Sequence, residues 1–279
     1  MADTFERSCA HWSEEKRAEM DDFYSLASLD YRELARAVDW AAWLAAGAER
    51  AGKLGRDRLS LLDVACGSGK FPAALLASPA CDLSGLAPID IALLDPSAFS
   101  IAEARSVLKP PFMPGSEYQT ILQSLDVAPN HFDLAWATHA LYAIPEAEID
   151  AALACMVDAA AQGGVIAHAR RDAHYIRFYD LYLDGFAKDD TPYVHAERIE
   201  DGLRRMGLEV EVSQIDYQNT CPRADTARVE GFLQRCLFDD TISLEALRTQ
   251  PKTGAYLEQC LSDEGWHFSQ FVSLIFFQK

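Results

Sequence analysis

One stretch constrains the fold of this chain more than any other: residues 59–71, LSLLDVACGSGKF. Its first half is an apolar run with an acid, Asp63, near its end, which is typical of a buried strand in a parallel sheet. Its second half breaks into a turn that contains Gly67 and Gly69. Glycine lacks a Cβ and tolerates positive φ, so the backbone of such a turn can approach a ligand closely. The stretch therefore predicts a strand that leads into a binding loop for a nucleoside cofactor.

Two other nucleotide-binding loops fit this stretch less well. The phosphate-binding loop of nucleotide triphosphatases would need Gly at position 64 and Ser or Thr at position 71, where the chain has Val64 and Phe71. A dinucleotide-binding loop would place a third small residue at position 72, where the chain has Pro72. The first class is excluded and the second is disfavoured.

A second apolar run ends in an acid at a spacing that supports this interpretation. Residues 89–94 are followed by Asp95, and Pro96 and Ser97 then begin a helical pattern. A carboxylate at the end of a second strand can accept hydrogen bonds from both hydroxyls of an unphosphorylated ribose. The alternative role for Asp95 is a helix cap. We favour ribose binding because the two motifs are linked in one βαβ unit.

Residues 63–69, with an acid before a Gly-x-Gly turn, resemble motif I of the class I S-adenosylmethionine (SAM)-dependent methyltransferases residue by residue. Residues 130–145 resemble motif IV of that family, at the carboxyl end of the predicted fourth strand. Shorter segments, 94–98 and 140–144, are similar to histamine N-methyltransferase and its relatives. The resemblance implies SAM as the cofactor and a small amine or imidazole as the methyl acceptor. The residues expected to bind SAM are Asp63, Ala65, Gly67, Gly69, Asp95, Pro96, Ser97, Ser124, Leu125, Thr138 and His139.

The chain as a whole alternates short apolar runs with amphipathic stretches, which indicates an α/β fold. The runs predict strands at 59–65, 89–95, 117–122, 132–137, 163–169, 207–212 and 268–277. The last run resembles the reversed seventh strand of the family, so we expect a Rossmann-like, seven-stranded, mostly parallel sheet with helices on both faces. We expect four units: an amino-terminal helical lid (1–58), a SAM-binding core (59–217), a helical substrate cap (218–267) and the final strand of the core sheet (268–279).

The expected chemistry directs attention to aromatic and histidine side chains. Methyl transfer from a sulfonium is an in-line displacement, so the enzyme mainly aligns the acceptor and excludes water. An amine acceptor must be neutral to react, and a desolvated aromatic pocket favours the neutral form of the amine. Aromatic faces also stabilise nearby cations. The residues expected at the reacting centre are His139, Tyr142 and Tyr175.

A further group of residues is expected to hold the substrate. Two arginines that follow the predicted fifth strand can receive a substrate carboxylate through a bidentate fork, or can form surface pairs with neighbouring acids. The expected substrate-binding residues are Tyr24, Tyr31, Tyr142, Arg170, Arg171, Tyr175 and Tyr179.

Charge and cysteine content disfavour several function classes. The net charge of −18 argues against nucleic-acid and anionic-membrane partners, because phosphate neutralisation needs a surplus of Lys and Arg. The sequence has no apolar run long enough to span a membrane and no signal-peptide pattern, so we expect a cytoplasmic monomer or homodimer that acts on a small molecule. The seven cysteines include no Cys-x-x-Cys pair and the seven histidines no His-x-x-x-His pair, so no metal site is expected.

The cofactor motifs leave the reaction open between two classes. The first is methyl transfer to a nitrogen or oxygen of a small molecule, an amine or an amino acid derivative. The second is an intramolecular cyclisation of the cofactor's amino acid portion, with release of methylthioadenosine. A catalytically silent SAM-binding module is disfavoured by the long aromatic lid and cap.

Overall fold

A seven-stranded sheet forms the centre of the computed structural model, which describes residues 4–186, 188 and 190–279. The strands are β1 (Leu59–Val64), β2 (Ile89–Leu94), β3 (Phe112–Tyr118), β4 (Phe132–Thr138), β5 (Ala160–Ala169), β6 (Glu209–Cys221) and β7 (Trp266–Gln278). Their order across the sheet is β3-β2-β1-β4-β5-β7-β6. β7 runs antiparallel to both of its neighbours, and the other strand pairs are parallel. The predicted Rossmann-like, mostly parallel sheet is confirmed.

Helices cover both faces of this sheet. They are α1 (Thr4–His11), α2 (Arg17–Ala37), α3 (Trp40–Lys53), α4 (Lys70–Ala77), α5 (Ala98–Val107), α6 (Ile149–Ala159), α7 (His174–Gly185), α8 (Ala196–Arg205), α9 (Thr226–Leu237), α10 (Leu244–Thr249) and α11 (Pro251–Gln259). Helices α3, α4 and α5 share a buried apolar cluster with one face, and α6 and α8 share another with the opposite face. A third cluster joins α2, α7, α9 and α11 to the start of β7. Within the described residues, no helix is both long and apolar enough to cross a membrane.

The strand order reverses next to β1, which fixes where a ligand can bind. β1 pairs in parallel with β2 on one side and with β4 on the other, so Asp63 lies beside Leu93 and Trp136. The carboxyl ends of these three strands therefore meet at one edge of the sheet. In open α/β sheets, ligands bind outside the carboxyl ends of the strands at such a reversal.

The third strand differs from its prediction. We expected a strand at 117–122, whereas β3 ends at Tyr118 and a single 3-10 turn follows at Leu122–Ser124. The strand contains Pro114 and Gly115, which normally interrupt strands. β3 tolerates both because it lies at the edge of the sheet and pairs on one side only.

The last two strands are longer than predicted. β6 continues past residue 212 to Cys221, and β7 begins at Trp266 rather than at residue 268. β6 is the other edge strand and is largely exposed, so polar side chains interrupt its apolar pattern. The sheet thus extends into both ends of the segment 218–267, and helices α9, α10 and α11 lie between them. The functional boundaries of lid, core and cap stay predictions.

The amino-terminal helices are fixed to α9 and to the loop after α7. Phe23 of α2 stacks on Phe232 of α9 with ring centroids 5.7 Å apart. In α1, the Arg7 guanidinium donates to Asp190 at 2.7 Å, and the hydroxyls of Thr4 and Tyr179 lie 2.9 Å apart. These contacts hold α1 and α2 against α7 and α9.

Candidate active site

A cavity lies at the carboxyl ends of β1, β2 and β4, and α1, α2 and the end of α9 contribute to its wall. Many of the residues selected from the sequence line it: Tyr24, Tyr31, Asp63, Ala65, Gly67, Asp95, Pro96, Thr138, His139, Tyr142 and Tyr175. The structure therefore brings residues expected to bind the cofactor next to residues expected around the methyl acceptor.

The two glycines of the turn after β1 have different surroundings. Both have positive φ, +51° at Gly67 and +68° at Gly69. A Cβ on Gly67 would face open space, with the Tyr24 hydroxyl 3.9 Å away as the nearest atom. A Cβ on Gly69 would lie 2.6 Å from Val107 Cγ2 and 2.9 Å from Ala104 Cα. Gly67 therefore presents its backbone to the cavity, whereas Gly69 lets the start of α4 pack against α5.

Asp95 ties the ends of β1 and β2 together. Its Oδ2 accepts from the Gly67 backbone N–H at 3.0 Å, and its Oδ1 accepts from the Ser97 N–H at 2.9 Å. Burial raises the pKa of Asp95 to about 6, and the two backbone hydrogen bonds oppose that rise. Each carboxylate oxygen has more than one lone pair, so Asp95 can hold the loop and still accept ribose hydroxyls.

Asp63 provides a second buried carboxyl in the cavity wall. Its side chain is 3% exposed, and among the described residues its Oδ2 has no hydrogen-bond partner. Burial raises the pKa of Asp63 to about 8, the neighbouring Trp136 side chain opposes the rise, and the charge of Asp95 adds to it. An unpaired buried carboxylate is costly, so a cationic ligand group at this position would relieve the cost.

His139 follows β4 and points into the cavity between aromatic rings. Its Nδ1 lies 2.6 Å from the Tyr142 hydroxyl. The oxygen of that hydroxyl accepts a hydrogen bond from the Ala169 N–H at 3.3 Å. Burial lowers the pKa of His139 to about 4, so the ring is neutral. We assign the Tyr142 hydroxyl as the donor and Nδ1 as the acceptor of this hydrogen bond. The hydrogen of the neutral imidazole is then on Nε2. That atom is buried and has no partner in the described part of the chain, so His139 offers a donor to the cavity.

A further carboxyl, Asp30, lies in the same wall and was not selected from the sequence. It is 2% exposed, and its Oδ2 accepts from the Tyr175 hydroxyl at 2.6 Å. Its Oδ1 accepts from Asn219 Nδ2 at 2.8 Å, and Asn219 Oδ1 accepts in turn from Gln270 at 3.0 Å. Burial raises the pKa of Asp30 to about 7, and the hydrogen bonds from Asn219 and Tyr175 oppose the rise.

Comparison with known proteins agrees with this geometry. Residues 62–168 match the model of a methyltransferase domain family. The fold is shared with magnesium protoporphyrin IX methyltransferase from Synechocystis PCC 6803 with bound S-adenosylhomocysteine, at 12% identity and a TM-score of 0.55, over 98% of this chain and 99% of that chain. Residues 62–168 are a methyltransferase domain, and the chain has the fold of class I SAM-dependent methyltransferases.

Two more solved structures share the fold of this methyltransferase. One is a putative methyltransferase from Bacillus halodurans C-125, at 13% identity and a TM-score of 0.54, over 85% of this chain and 98% of that one. The other is described as a possible histamine N-methyltransferase from Thermotoga maritima, at 14% identity and a TM-score of 0.50, over 96% and 99%. No curated protein matches the sequence significantly.

The cavity wall of the methyltransferase fits SAM by its chemistry. Asp95 offers carboxylate oxygens to a ribose diol, and Asp63 Oδ2 is a buried acceptor that suits an ammonium. The Ser68 hydroxyl is also buried in this wall, beside Tyr24. When bound, SAM supplies an electrophilic methyl group on a sulfonium.

Four residues expected to bind SAM do not line the cavity. Gly69 packs against α5, as described above. Ser97 caps α5, its hydroxyl accepting from the Ser100 N–H at 3.2 Å. Ser124 and Leu125 lie just beyond the cavity, whose wall here is residues 120–123. The displacement of Ser124 and Leu125 follows from the wrong prediction for the third strand. Because β3 ends at Tyr118 and not at residue 122, the chain reaches the cavity a few residues earlier than expected.

Three expected substrate residues also lie outside the cavity wall. Arg170 donates to Gln214 at 3.1 Å and pairs with Asp172, and Arg171 contacts His195 at 2.9 Å and Glu197 through its backbone N–H. The alternative expectation of pairing with neighbouring acids therefore describes Arg170, whereas the Arg171 guanidinium contacts a histidine. Tyr179 is buried and stacks on Tyr193 at 3.7 Å.

The arginine in the cavity wall comes from α9 instead. Arg235 is 2% exposed, donates to the His11 carbonyl at 2.5 Å and lies 4.5 Å from the Trp12 ring centroid. A sequence signal existed for both Arg235 and Asp30, because each is a charged residue on the apolar face of a helix. Arg235 lies between Phe232 and Cys236 in α9, and Asp30 follows Leu26 in α2.

Proposed function

We propose that this methyltransferase transfers the methyl group of SAM to the nitrogen of a small amine or imidazole, by direct in-line displacement. The observation that carries the proposal is Asp30, a buried carboxyl in the aromatic part of the cavity wall. The hydrogen bonds from Tyr175 and Asn219 offset only part of the cost of burying a charge there, since the pKa of Asp30 is still raised to about 7, and a partner of opposite sign would offset the rest. A cationic acceptor would supply that partner.

The rings around Asp30 support a cationic acceptor. We call Tyr24, Tyr31, Tyr142 and Tyr175 the aromatic cage. Tyr24 and Tyr31 have centroids 6.3 Å apart, and Tyr142 and Tyr175 are 6.2 Å apart. His139 lies 5.8 Å from Tyr31 and 6.3 Å from Tyr175, so both pairs border the same imidazole. Aromatic faces attract a nearby cation most strongly when the site is desolvated.

Asp30 is also suited to take a proton from the acceptor. A protonated amine has no lone pair to attack with, so its proton must leave before methyl transfer. The pKa of Asp30, raised by burial to about 7, is close to neutral pH, where an acid–base group works best. The pKa of His139 is lowered to about 4 by burial, which makes it a weak proton acceptor. We therefore assign proton removal to Asp30, and hydrogen-bond donation from Nε2 to His139.

An amino acid derivative is a second form of the same acceptor. Its amine would face Asp30, and its carboxylate would be attracted by Arg235, whose buried guanidinium belongs to the same cavity wall. Arg170 and Arg171, which lie outside the wall, have no part in this proposal.

The test is mass spectrometry of purified protein with SAM and matched acceptors. The panel pairs each amine or imidazole with the alcohol, phenol or carboxylic acid of the same carbon skeleton, and includes a reaction without acceptor. We expect S-adenosylhomocysteine together with a methylated amine, and less product from the oxygen partners. Methylation of the oxygen partners alone would contradict a nitrogen acceptor. Methylthioadenosine without a methylated acceptor would indicate cyclisation of the cofactor instead.

We further propose that the enzyme works in the cytoplasm, as a monomer or homodimer, without nucleic acid. The net charge of −18 supports the last part, because it repels a polyanion. Analytical ultracentrifugation tests the oligomeric state and a duplex-DNA titration at low salt tests nucleic-acid binding, and fluorescence microscopy of a tagged protein in cells tests the location. A higher oligomer, salt-sensitive DNA binding or a location outside the cytoplasm would contradict the respective statement.

A further inference from the structure

Helix α9 ends in a turn that places a phenylalanine where glycine is normally found. The Phe238 N–H donates to the Arg235 carbonyl at 3.3 Å, and the Asp239 N–H donates to the Gln234 carbonyl at 3.1 Å. This pair of bonds defines a Schellman motif, in which the first residue after the helix adopts the left-handed conformation. Phe238 has φ 48° and ψ 43°. A bulky residue with such angles is an outlier.

Two other helices of the same chain end in this motif with glycine. After α3, the Gly55 N–H donates to Gly52 and the Arg56 N–H donates to Ala51. After α8, Gly207 occupies the same position, with φ 81°. A Cβ on either glycine would meet nothing within 4 Å. At these two helix ends the chain uses glycine where a side chain would make no contact, whereas at the end of α9 it uses a strained phenylalanine.

The ring of Phe238 forms part of the cavity wall. Its centroid lies 5.9 Å from Tyr193 and 5.6 Å from His11, and Tyr193 lies 5.8 Å from Tyr142. Phe238 is thus two ring contacts away from Tyr142, at the side of the cavity formed by α1 and α9. Strained residues persist where surrounding contacts hold them, and they cluster at functional sites.

Neighbouring hydrogen bonds hold the strained turn in place. The Tyr193 hydroxyl donates to the Cys236 carbonyl at 2.9 Å. On the other side, Asp239 accepts from the Tyr182 hydroxyl and, at 2.6 Å, from the Thr241 hydroxyl. The chain is therefore held by hydrogen bonds on both sides of Phe238.

We propose that Phe238 limits the length of the methyl acceptor by closing the far side of the cavity from His139. The amine character of that acceptor rests on the function proposed above, whereas the length limit depends only on the ring that closes the cavity. An acceptor that extends past Tyr142 toward Tyr193 meets the Phe238 ring. Removing that ring leaves room for additional methylene groups.

The test replaces Phe238 with residues that favour the left-handed conformation. Phe238→Gly removes the ring, and Phe238→Asn leaves a shorter side chain; both residues adopt this conformation readily. Thermal unfolding verifies that each variant folds. Phe186→Gly is the matched control, because Phe186 also ends a helix and packs on Tyr182 at 5.4 Å, but it does not line the cavity.

Binding of graded ligands is measured by calorimetry in the presence of S-adenosylhomocysteine. The ligands are phenylalkylamines of increasing chain length and the alcohols with the same skeletons. Wild type should bind the short members and reject the long ones, while Phe238→Gly should improve the long-to-short affinity ratio by about tenfold or more, the effect of a methylene group or more in an apolar pocket. Phe238→Asn should be intermediate, and Phe186→Gly should match wild type.

The outcomes separate the two proposals. Equal binding of amines and alcohols would contradict the amine acceptor, while the long-to-short ratio would still decide the role of Phe238. The same ratio in wild type and Phe238→Gly, or no binding of any member by either protein, would overturn the length limit.

Discussion

Replacing Asp30 with Asn tests whether a carboxyl with a raised pKa is buried beside the aromatic cage. The pKa of Asp30 is raised by burial from an ordinary 3.8 to about 7. Between these values the folded protein holds a proton that the unfolded chain releases, so the carboxyl stabilises the fold at low pH and this contribution is lost as pH rises toward 7. At about 1.4 kcal/mol per pH unit, the loss reaches about 4 kcal/mol at most.

The Asp30→Asn variant should keep the geometry without the titration. The oxygen of the new amide can accept from Asn219, and its NH₂ can donate to the Tyr175 hydroxyl oxygen, so both contacts of Asp30 have a replacement. Relative to wild type, the free energy of unfolding of Asp30→Asn should therefore rise by up to about 4 kcal/mol between pH 4 and pH 8.

Urea unfolding at a series of pH values measures this difference. The matched control is Asp150→Asn, because Asp150 is exposed and the pKa of its carboxyl is lowered, chiefly by the hydrogen bond from Arg198. Its loss should destabilise the protein above pH 4, which is the opposite sign. Parallel pH profiles for wild type and Asp30→Asn would refute the reasoning. Asp30→Asn should also lower kcat/KM for an amine by about thirtyfold or more, because it leaves the buried charge of the acceptor without its partner.

Three further substitutions test the rest of the site. Asp95→Asn should weaken S-adenosylhomocysteine binding about ten- to a hundredfold by calorimetry. The NH₂ of the new amide would face a backbone N–H from which the carboxylate of Asp95 accepts a hydrogen bond. Unchanged affinity would contradict the ribose assignment. Gly69→Ala should lower the free energy of unfolding in urea by about 2 to 4 kcal/mol, from left-handed backbone strain and from contact with α5. Gly55→Ala is the control and should show only the strain, about 1 to 2 kcal/mol. Equal losses in the two variants would contradict the contact with α5. Tyr142→Phe should reduce kcat at least about tenfold with S-adenosylhomocysteine affinity within a factor of two, because it removes the hydroxyl that orients His139; an unchanged kcat would contradict that role.

The central part of the fold could be predicted because its signals are local. β1, the glycine turn and the acid after β2 each lie within a few consecutive residues, and buried parallel strands leave continuous apolar runs. The edge strands gave weaker signals. β3 contains Pro114 and Gly115, and β6 is largely exposed, so neither has the apolar continuity by which inner strands are recognised.

Local sequence also determined which residue types the cofactor loop contains, but not which atoms face the cavity. Gly67 and Gly69 look equivalent in a Gly-x-Gly pattern. Only the position of α5, which lies against Gly69, distinguishes a ligand-facing glycine from a packing glycine. The same holds for the arginines: Arg170 follows a core strand but pairs at the surface, while Arg235 lines the cavity because α9 folds back beside α1.

The carboxyl network on the acceptor side of the site was decided by tertiary structure. Asp30 and Asn219 form a hydrogen bond across 189 positions of sequence, and Gln270 joins them from β7. The sequence marks Asp30 only as a charged residue on the apolar face of α2, because a helix pattern reports periodicity along the chain and not the partners that folding brings together. Its raised pKa arises because folding removes water from the carboxyl and surrounds it with rings from separate elements, and that desolvation exists only in the assembled protein.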